Sequence, residues 1–239
     1  MAAPAARAAE LKVLTAGAFK EILVALAPGF EQATGNKVVL DNATAGVLAQ
    51  RIGGGEAFDV AVMGPAAIDD MIAKGKIAAG SRVVLARVGI GVVVKAGAPK
   101  PAIATVDDLK RALLAAPSVA YIDPKAGGSS GIYIAKLLQQ LGIADAVNTK
   151  AKLIQGGAVA EHIAKGEAAL GLHQISEILP IAGVTLVGPL PAEIQNYTVY
   201  AAGIGAASHD PAAAKALIAR LAGPDAAAVL KAKGMEPPG

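Results

Sequence analysis

Short strands alternate with helices along the first part of this chain, and small residues occupy the junctions between them. Lys12 to Thr15 predicts a strand, and Phe19 to Thr34 predicts a helix because its apolar residues recur every three or four positions. Phe58 to Met63 is nearly all apolar, as expected of a parallel strand buried on both faces. This alternation through short loops predicts an open α/β sheet with its ligand site at the carboxyl ends of the strands.

A later strand, loop and helix carry the strongest sign of a binding loop. Ser118 to Ile122 predicts a buried strand, and a Gly/Ser loop over Gly127 to Gly131 leads into a helix that ends at Gly142. The apolar residues predicted on one face of this helix are Ile132, Ala135, Leu138 and Leu141. A Gly/Ser loop before a helix exposes backbone N–H groups at the positive end of the helix dipole, which favours an anion. The alternative is a loop that only turns the chain.

Two long β-branched runs indicate that the chain forms two lobes. Val83 to Val94 predicts a strand that leaves the first lobe, and Tyr197 to Ile204 predicts the return crossing. We therefore expect an α/β protein in which each lobe is a mixed sheet flanked by helices and two crossing strands join the lobes. The predicted first lobe is 11–88 plus 198–239, and the second is 89–197. Such a hinged clamp holds its ligand between strand ends.

Composition and charge narrow the classes of function. The net charge is only +3, and the basic residues form no stripe that would indicate nucleic-acid binding. No apolar run approaches the roughly 18 residues that cross a bilayer. The chain has no cysteine, and its three histidines lack metal-ligand spacing, so we expect no metal. The glycine loops match neither the dinucleotide nor the phosphate-loop pattern, so we expect no cofactor.

Residues 1–10 are rich in alanine and show no periodicity. They predict either the stub left after a signal peptide is removed or a plain disordered start.

Several runs, taken together, resemble the periplasmic molybdate-binding proteins. They are Val13–Ala18, Phe30–Val39, Ala45–Gly54, Phe58–Met63, Gly128–Tyr133, Gly166–Gly171, Gly223–Ala226 and Lys233–Gly234. The resemblance follows the chain in order over about residues 11 to 236. It implies a type II periplasmic binding-protein fold and an exported, periplasmic monomer. It also implies a small anionic ligand and the membrane subunits of an ABC importer as partners.

The resemblance also implies positions for the anion site, at hydroxyl and backbone N–H donors near helix starts. Carried over position by position, these are Ala18, Thr44, Ala45, Gly46, Gly64, Ser129, Ser130, Gly156, Gly157 and Gln174. The chain departs from the family at Ala18, where a serine is usual, and at Gln174, where a tyrosine is usual. Each missing hydrogen bond to a charged group costs roughly 1.5–3 kcal/mol. Since His173, Asn42 and Lys20 are also available, the altered site favours an organic di- or tricarboxylate over molybdate or tungstate.

An enzyme is the alternative, because a few proteins that resemble this family isomerise aconitate. Moving a proton across an unsaturated tricarboxylate needs a positioned acid or base in a dry, charge-stabilised site. The candidates for that role are His173, Lys20 and Tyr133, and the sequence does not select among them.

Overall fold

The computed structural model describes residues 9–238, and within them ten strands and ten α-helices alternate. The strands are β1 (Glu10–Ala16), β2 (Lys37–Ala43), β3 (Val60–Met63), β4 (Val83–Val88), β5 (Ile90–Lys95), β6 (Val119–Ile122), β7 (Ala151–Ile154), β8 (Leu170–Gln174), β9 (Val184–Pro189) and β10 (Thr198–Ile204). The helices are α1 (Lys20–Thr34), α2 (Ala45–Gly53), α3 (Pro65–Ala73), α4 (Val106–Ala115), α5 (Ser129–Gln140), α6 (Ala144–Asn148), α7 (Val159–Ala164), α8 (Ile175–Ile178), α9 (Pro211–Ala222) and α10 (Pro224–Ala232).

The strands form two five-stranded sheets, one in each lobe. The strand order is β2-β1-β3-β10-β4 in the first lobe and β7-β6-β8-β5-β9 in the second. In the first lobe β1 runs parallel to β2 and β3, whereas β10 is antiparallel to its neighbours. In the second lobe β6 runs parallel to β7 and β8, whereas β5 is antiparallel to its neighbours. The predicted two-lobed α/β fold with mixed sheets is confirmed, and three parallel strands in each lobe end at one edge.

The apolar pattern of the first lobe positions its elements as expected. All four residues of β3 are buried, which agrees with a strand covered on both faces. In α1 the apolar residues Ile22, Leu23 and Phe30 are buried, and the helix ends at Gly35 with a φ of 75°. That left-handed conformation carries no Cβ penalty for glycine, so Gly35 stops the helix as its sequence position predicts.

The first crossing is two strands and not one. The predicted strand over Val83 to Val94 divides at Gly89 into β4, which pairs in the first sheet, and β5, which pairs in the second. The side chain of Gln195 lies against Gly89: its Oε1 accepts from Ile90 N at 2.8 Å and its Nε2 donates to Ile90 O at 2.9 Å. A Cβ at Gly89 would lie 3.0 Å from this amide, so glycine lets the two crossing segments approach each other.

The second crossing precedes the strand that was predicted to make it. The strand β10 lies wholly in the first sheet, and the chain passes between the lobes through residues 190–197, which contain a short 3-10 turn. Tyr197 lies outside β10 and its ring contacts the Arg87 guanidinium at 4.6 Å from the ring centroid. The apolar run 198–204 is long because β10 is buried between β3 and β4, and this burial explains why it resembled a crossing strand.

The buried face of α5 agrees with the predicted one only in part. Leu138 is buried and Leu141 packs on the core of the second lobe, as predicted. Ile132 is 53% exposed, and Ile134 and Leu137 are buried in its place. Gly131 packs directly against the backbone of Ile122, because a Cβ there would overlap the Ile122 carbonyl. This close approach turns the glycine side of α5 toward the sheet and the Ile132 side toward solvent.

Two elements had no sequence prediction. They are the strand β9 and the five-residue helix α6. The residues of β9 are half-buried on both faces, so the strand shows neither alternation nor a continuous apolar run.

Most of the predicted stub lies outside the described residues. Its last residue, Glu10, begins β1 and pairs with Lys37, so the stub cannot extend to residue 10. None of the helices within residues 9–238 is long and apolar enough to span a membrane.

Candidate functional site

A cleft of about 490 Å³ lies between the two lobes, at the edge where the parallel strands of both sheets end. Its walls include the residues that follow β1, β2 and β3 in the first lobe and β6, β7 and β8 in the second. Ten of the residues predicted to bind the ligand line it: Asn42, Thr44, Ala45, Gly64, Ser129, Ser130, Gly156, Gly157, His173 and Gln174. The docking of the lobes therefore brings together strand ends that are far apart in sequence.

Three helices begin at the walls of this cleft. The N-cap residues of α2, α3 and α5 are Thr44, Gly64 and Gly128, and all three line it. The first backbone N–H groups of a helix have no partner within the helix, and the helix dipole adds positive potential at the same end. In α2 the Gly46 and Val47 amides already donate to Gly127 O and Thr44 Oγ1, and α3 begins with Pro65, which has no N–H. The three helix ends therefore offer the cleft their remaining uncharged donors and a positive potential, which suit an anion.

A polar network around Gln174 joins the lobes across the cleft. The Nε2 of this buried amide lies 3.0 Å from Ser129 Oγ, 3.0 Å from Thr198 Oγ1 and 3.2 Å from Tyr200 Oη. Ser129 belongs to the second lobe, whereas Thr198 and Tyr200 come from β10 in the first. Burial raises the pKa of the Tyr200 hydroxyl, and the nearby Glu177 carboxylate adds to the rise, so the hydroxyl stays protonated. Gln174, where the resembling family has a tyrosine, therefore contacts both lobes.

A histidine and a glutamate form a pair at the end of β8. His173 Nε2 lies 3.3 Å from Glu177 Oε2, and the two side chains are only 2% and 15% exposed. Burial lowers the pKa of His173 to about 3 and raises the pKa of Glu177 to about 8; the Glu21 carboxylate adds to the Glu177 shift and Lys20 opposes it. At neutral pH, His173 is therefore neutral and Glu177 is mostly protonated. Among the described residues, His173 Nδ1 has no hydrogen-bond partner.

Two predicted residues lie where the lobes meet and not in the cleft. Ala18 is 1% exposed, and its carbonyl accepts a hydrogen bond from Ser176 Oγ of the second lobe at 2.9 Å. Gly46 N donates to Gly127 O at 3.3 Å, and a Cβ at Gly46 would lie 3.0 Å from Gly127 Cα. Both residues therefore belong to contacts that hold the lobes together, because their backbones, and not their side chains, make the contacts.

Two other predicted residues do not line the cleft. Lys20, at the start of α1, is exposed and does not line the cleft. The Tyr133 hydroxyl donates to Ile194 O at 2.7 Å, and its ring packs on the core of the second lobe. Of the three candidate acid or base residues, the cleft therefore contains His173.

The sequence did not reveal four polar residues of the cleft wall. They are Gln155, Glu177, Thr198 and Tyr200. Gln155 adjoins a strand end that the alternation predicts, so a wider window around that strand end would have included it. The other three carried no local signal, because they reach the cleft only through the docking of α8 and β10.

The charge of the cleft wall is low. Within the part of the chain that the structure describes, the wall includes no lysine or arginine, and Glu177 is its one acidic residue. The same residues contain no group of three or more histidine, aspartate or glutamate side chains that could hold a metal ion. The wall therefore offers a ligand neutral hydrogen-bond donors and helix N-termini in place of cationic side chains.

Comparison with known proteins agrees with this geometry. Residues 11–236 match the family model described as bacterial extracellular solute-binding protein. An aconitate isomerase from a Pseudomonas species is 35% identical over 233 residues, which cover 95% of this chain and 87% of that protein. The molybdate-binding protein ModA of Azotobacter vinelandii is 32% identical over 244 residues, which cover 96% of this chain and 91% of that protein.

Solved structures show the same fold. The periplasmic molybdate-binding protein of Azotobacter vinelandii superposes with a TM-score of 0.81 and 25% identity, over 96% of this chain and all of that one. The sulfate-binding protein SubI of Mycobacterium tuberculosis superposes with a TM-score of 0.76 and 18% identity, over 96% of this chain and 87% of that one. From the family match, the two relatives and this fold, we conclude that the chain belongs to the bacterial extracellular solute-binding protein family.

Proposed function

We propose that this protein is a periplasmic solute-binding protein whose lobes close on a small organic di- or tricarboxylate and deliver it to an ABC importer. The observation that carries this proposal is the convergence of three helix N-termini on one cleft between the lobes. The donors in the cleft are neutral, so the ligand is held by hydrogen bonds and helix dipoles and not by ion pairs. The family relationship supports the transport role and the export that it requires.

The size of the cleft favours an organic anion over a single tetrahedral oxyanion. Four oxygens, each taking about the 30 Å³ of a water molecule, occupy roughly 120 Å³. The cleft of about 490 Å³ is several times larger and lies in the range of small-molecule sites. Gln174 supports the same choice, because it stands in the cleft wall where the molybdate-binding pattern has a tyrosine hydroxyl.

A thermal-shift screen followed by titration calorimetry tests the proposal. The panel contains molybdate, tungstate, sulfate, phosphate and a series of di- and tricarboxylates. A ligand at about 100 times its dissociation constant adds about 2.7 kcal/mol to the free energy of unfolding, which raises the melting temperature by several degrees. We expect the largest shift from a carboxylate; micromolar binding of molybdate or tungstate with no carboxylate binding would contradict the proposal.

A matched pair of variants locates the bound ligand. Ser129→Ala removes a hydroxyl from the cleft wall, whereas Thr149→Ala removes one at a distant exposed position. Because a hydrogen bond to a charged group contributes roughly 1.5–3 kcal/mol, we expect Ser129→Ala to weaken binding by about tenfold or more. Thr149→Ala should bind with the affinity of the unmodified protein. Equal affinities in the two variants would place the ligand elsewhere.

Aconitate isomerisation is the second candidate, favoured by the His173–Glu177 pair in the cleft and by the relative that bears this activity in its name. The reaction removes a proton from the methylene carbon of aconitate and returns one to the far carbon of the allylic system, so the proton count balances. A neutral His173 beside a protonated Glu177 offers one proton acceptor and one donor. Incubation with cis-aconitate, followed by NMR, tests this role: no trans-aconitate over hours, in a sample that binds the substrate, excludes it.

A further inference from the structure

The wall of the cleft carries an ionisable pair that the anion-binding role does not require. Glu177 Oε2 lies 3.3 Å from His173 Nε2, and Oε1 lies against the backbone of Gly17, where an added Cβ would be 2.5 Å away. The carboxyl is thus fixed on both sides and opens onto the ligand space. A carboxylate at this place would repel the anions that the rest of the cleft attracts.

No nearby cation neutralises this carboxyl within the described part of the chain. The groups that face Glu177 are His173 from β8, Tyr200 from β10, and Glu21 and Lys20 from α1. Glu21 is itself acidic and lies 3.9 Å from the ammonium of Lys233 on its other side. Lys20 is exposed and lowers the pKa of Glu177 less than burial and Glu21 raise it. The histidine is therefore the one direct partner of the carboxyl among these residues.

The net charge of the pair depends on one proton. With that proton on the carboxyl or on the imidazole, the pair is neutral overall; without it, the pair is negative. Burial favours the arrangement with no separated charges, a protonated Glu177 beside a neutral His173. The protonated carboxyl can donate a hydrogen bond to an anion in the cleft, whereas the ionised carboxylate can only accept one.

We propose that the His173–Glu177 pair couples ligand capture to a proton, so that the anion binds only while the pair holds one ionisable proton and is neutral. This inference rests on the anion-binding function proposed above. The bound anion stabilises the protonated pair, and linkage requires that the protonated pair in turn strengthens anion binding. Above the pKa of Glu177, about 8 in the free protein, each captured anion takes up one proton. The affinity is then constant at lower pH and falls about tenfold per pH unit above that value.

Calorimetric titration from pH 6 to pH 10 tests the coupling, with trans-aconitate and molybdate as probes. We expect the dissociation constant of the unmodified protein to be flat up to about pH 8 and then to rise about tenfold per unit. Titration at pH 9 in two buffers of different ionisation enthalpy should show uptake approaching one proton per ligand. Glu177→Gln keeps a neutral donor in place and should remove both the slope and the proton uptake. Glu161→Gln, at an exposed position outside the cleft, should retain both.

The outcomes separate the two proposals. A dissociation constant that stays flat to pH 9.5 while a probe binds overturns the coupling and leaves the binding function intact. A slope in Glu177→Gln equal to that of the unmodified protein also overturns it. If neither probe binds at any pH while the folded protein is stable, the anion-binding function itself fails, and the coupling fails with it.

Discussion

Gly46 of the first lobe contacts Gly127 of the second lobe beside the cleft. Replacing Gly46 by valine is expected to weaken ligand binding without unfolding the protein. Its amide donates to Gly127 O at 3.3 Å, and next to it Thr44 Oγ1 donates to Ala126 O at 2.6 Å. A Cβ at Gly46 would lie 3.0 Å from Gly127 Cα, and the branched valine would reach further into that backbone. The two lobes therefore cannot approach each other as closely at Gly46 and Gly127 in the variant.

The size of the effect follows from the two hydrogen bonds that join the lobes at this place. Each is worth about 1 kcal/mol, so their loss costs roughly 2 kcal/mol, which is about a 30-fold rise in the dissociation constant. The folded lobes should not suffer, because Gly46 lies inside α2 and valine has a higher helix propensity than glycine. The melting temperature without ligand should therefore stay the same or rise slightly.

Calorimetry with the best carboxylate of the screen measures this change. The matched control is Gly53→Ala, at the other end of the same helix, where an added Cβ meets nothing within 4 Å. We expect the control to bind within twofold of the unmodified protein. If Gly46→Val also binds the ligand within twofold of the unmodified protein, the contact between Gly46 and Gly127 does not contribute to ligand binding, and the reasoning is refuted.

Two further predictions concern stability. Asp59 is buried and accepts hydrogen bonds from Lys12 N, Ser208 Oγ and His209 N. We therefore expect Asp59→Ala to lower the free energy of unfolding, measured in urea, by about 3 kcal/mol. The control Asp69→Ala, at an exposed position, should change it by less than about 0.5 kcal/mol, and equal unfolding midpoints for the two variants would contradict this. Hydrogen bonds from Arg51 lower the pKa of Glu56 to about 2 from its ordinary value of 4.5. This carboxylate therefore stabilises the fold above pH 4.5, and the contribution is lost as the pH falls toward 2. Glu56→Gln should therefore lower the free energy of unfolding at pH 7 but change it little near pH 2, so the stability of the variant should depend less on pH between 4.5 and 2. Equal pH dependence in the two proteins would exclude the effect.

The fold was readable from the sequence because its signals are local. The apolar residues that recur along α1 and the glycine that ends it, Gly35, all belong to one short stretch of the chain. Within α5 the prediction was wrong for Ile132, because the close contact between Gly131 and Ile122 turns Ile132 toward solvent. Similarly, the break at Gly89 depends on Gln195, which is far away in the chain.

The candidate site was readable only in part, for the same reason. The small residues that follow each parallel strand predicted much of the cleft wall, since all such strands end at one edge of a sheet. Lys20 and Tyr133, which the sequence left open as candidates, do not line the cleft, because both lie on helices whose rotation about their own axes the sequence does not fix. Glu177 was missed because α8 has only four residues and thus no periodicity to reveal its orientation.

The sequence by itself determined the alternation of strands and helices, the two lobes, and the small residues and helix starts that border a ligand site. These features follow from local steric and hydrogen-bonding preferences. Only the tertiary structure decided which side chains meet in the cleft. Gln174 contacts Thr198 and Tyr200, 24 and 26 positions away, and Ser176 reaches Ala18, 158 positions away. The same docking encloses His173 and Glu177, and their ionisation depends on that burial, which no short stretch of sequence specifies.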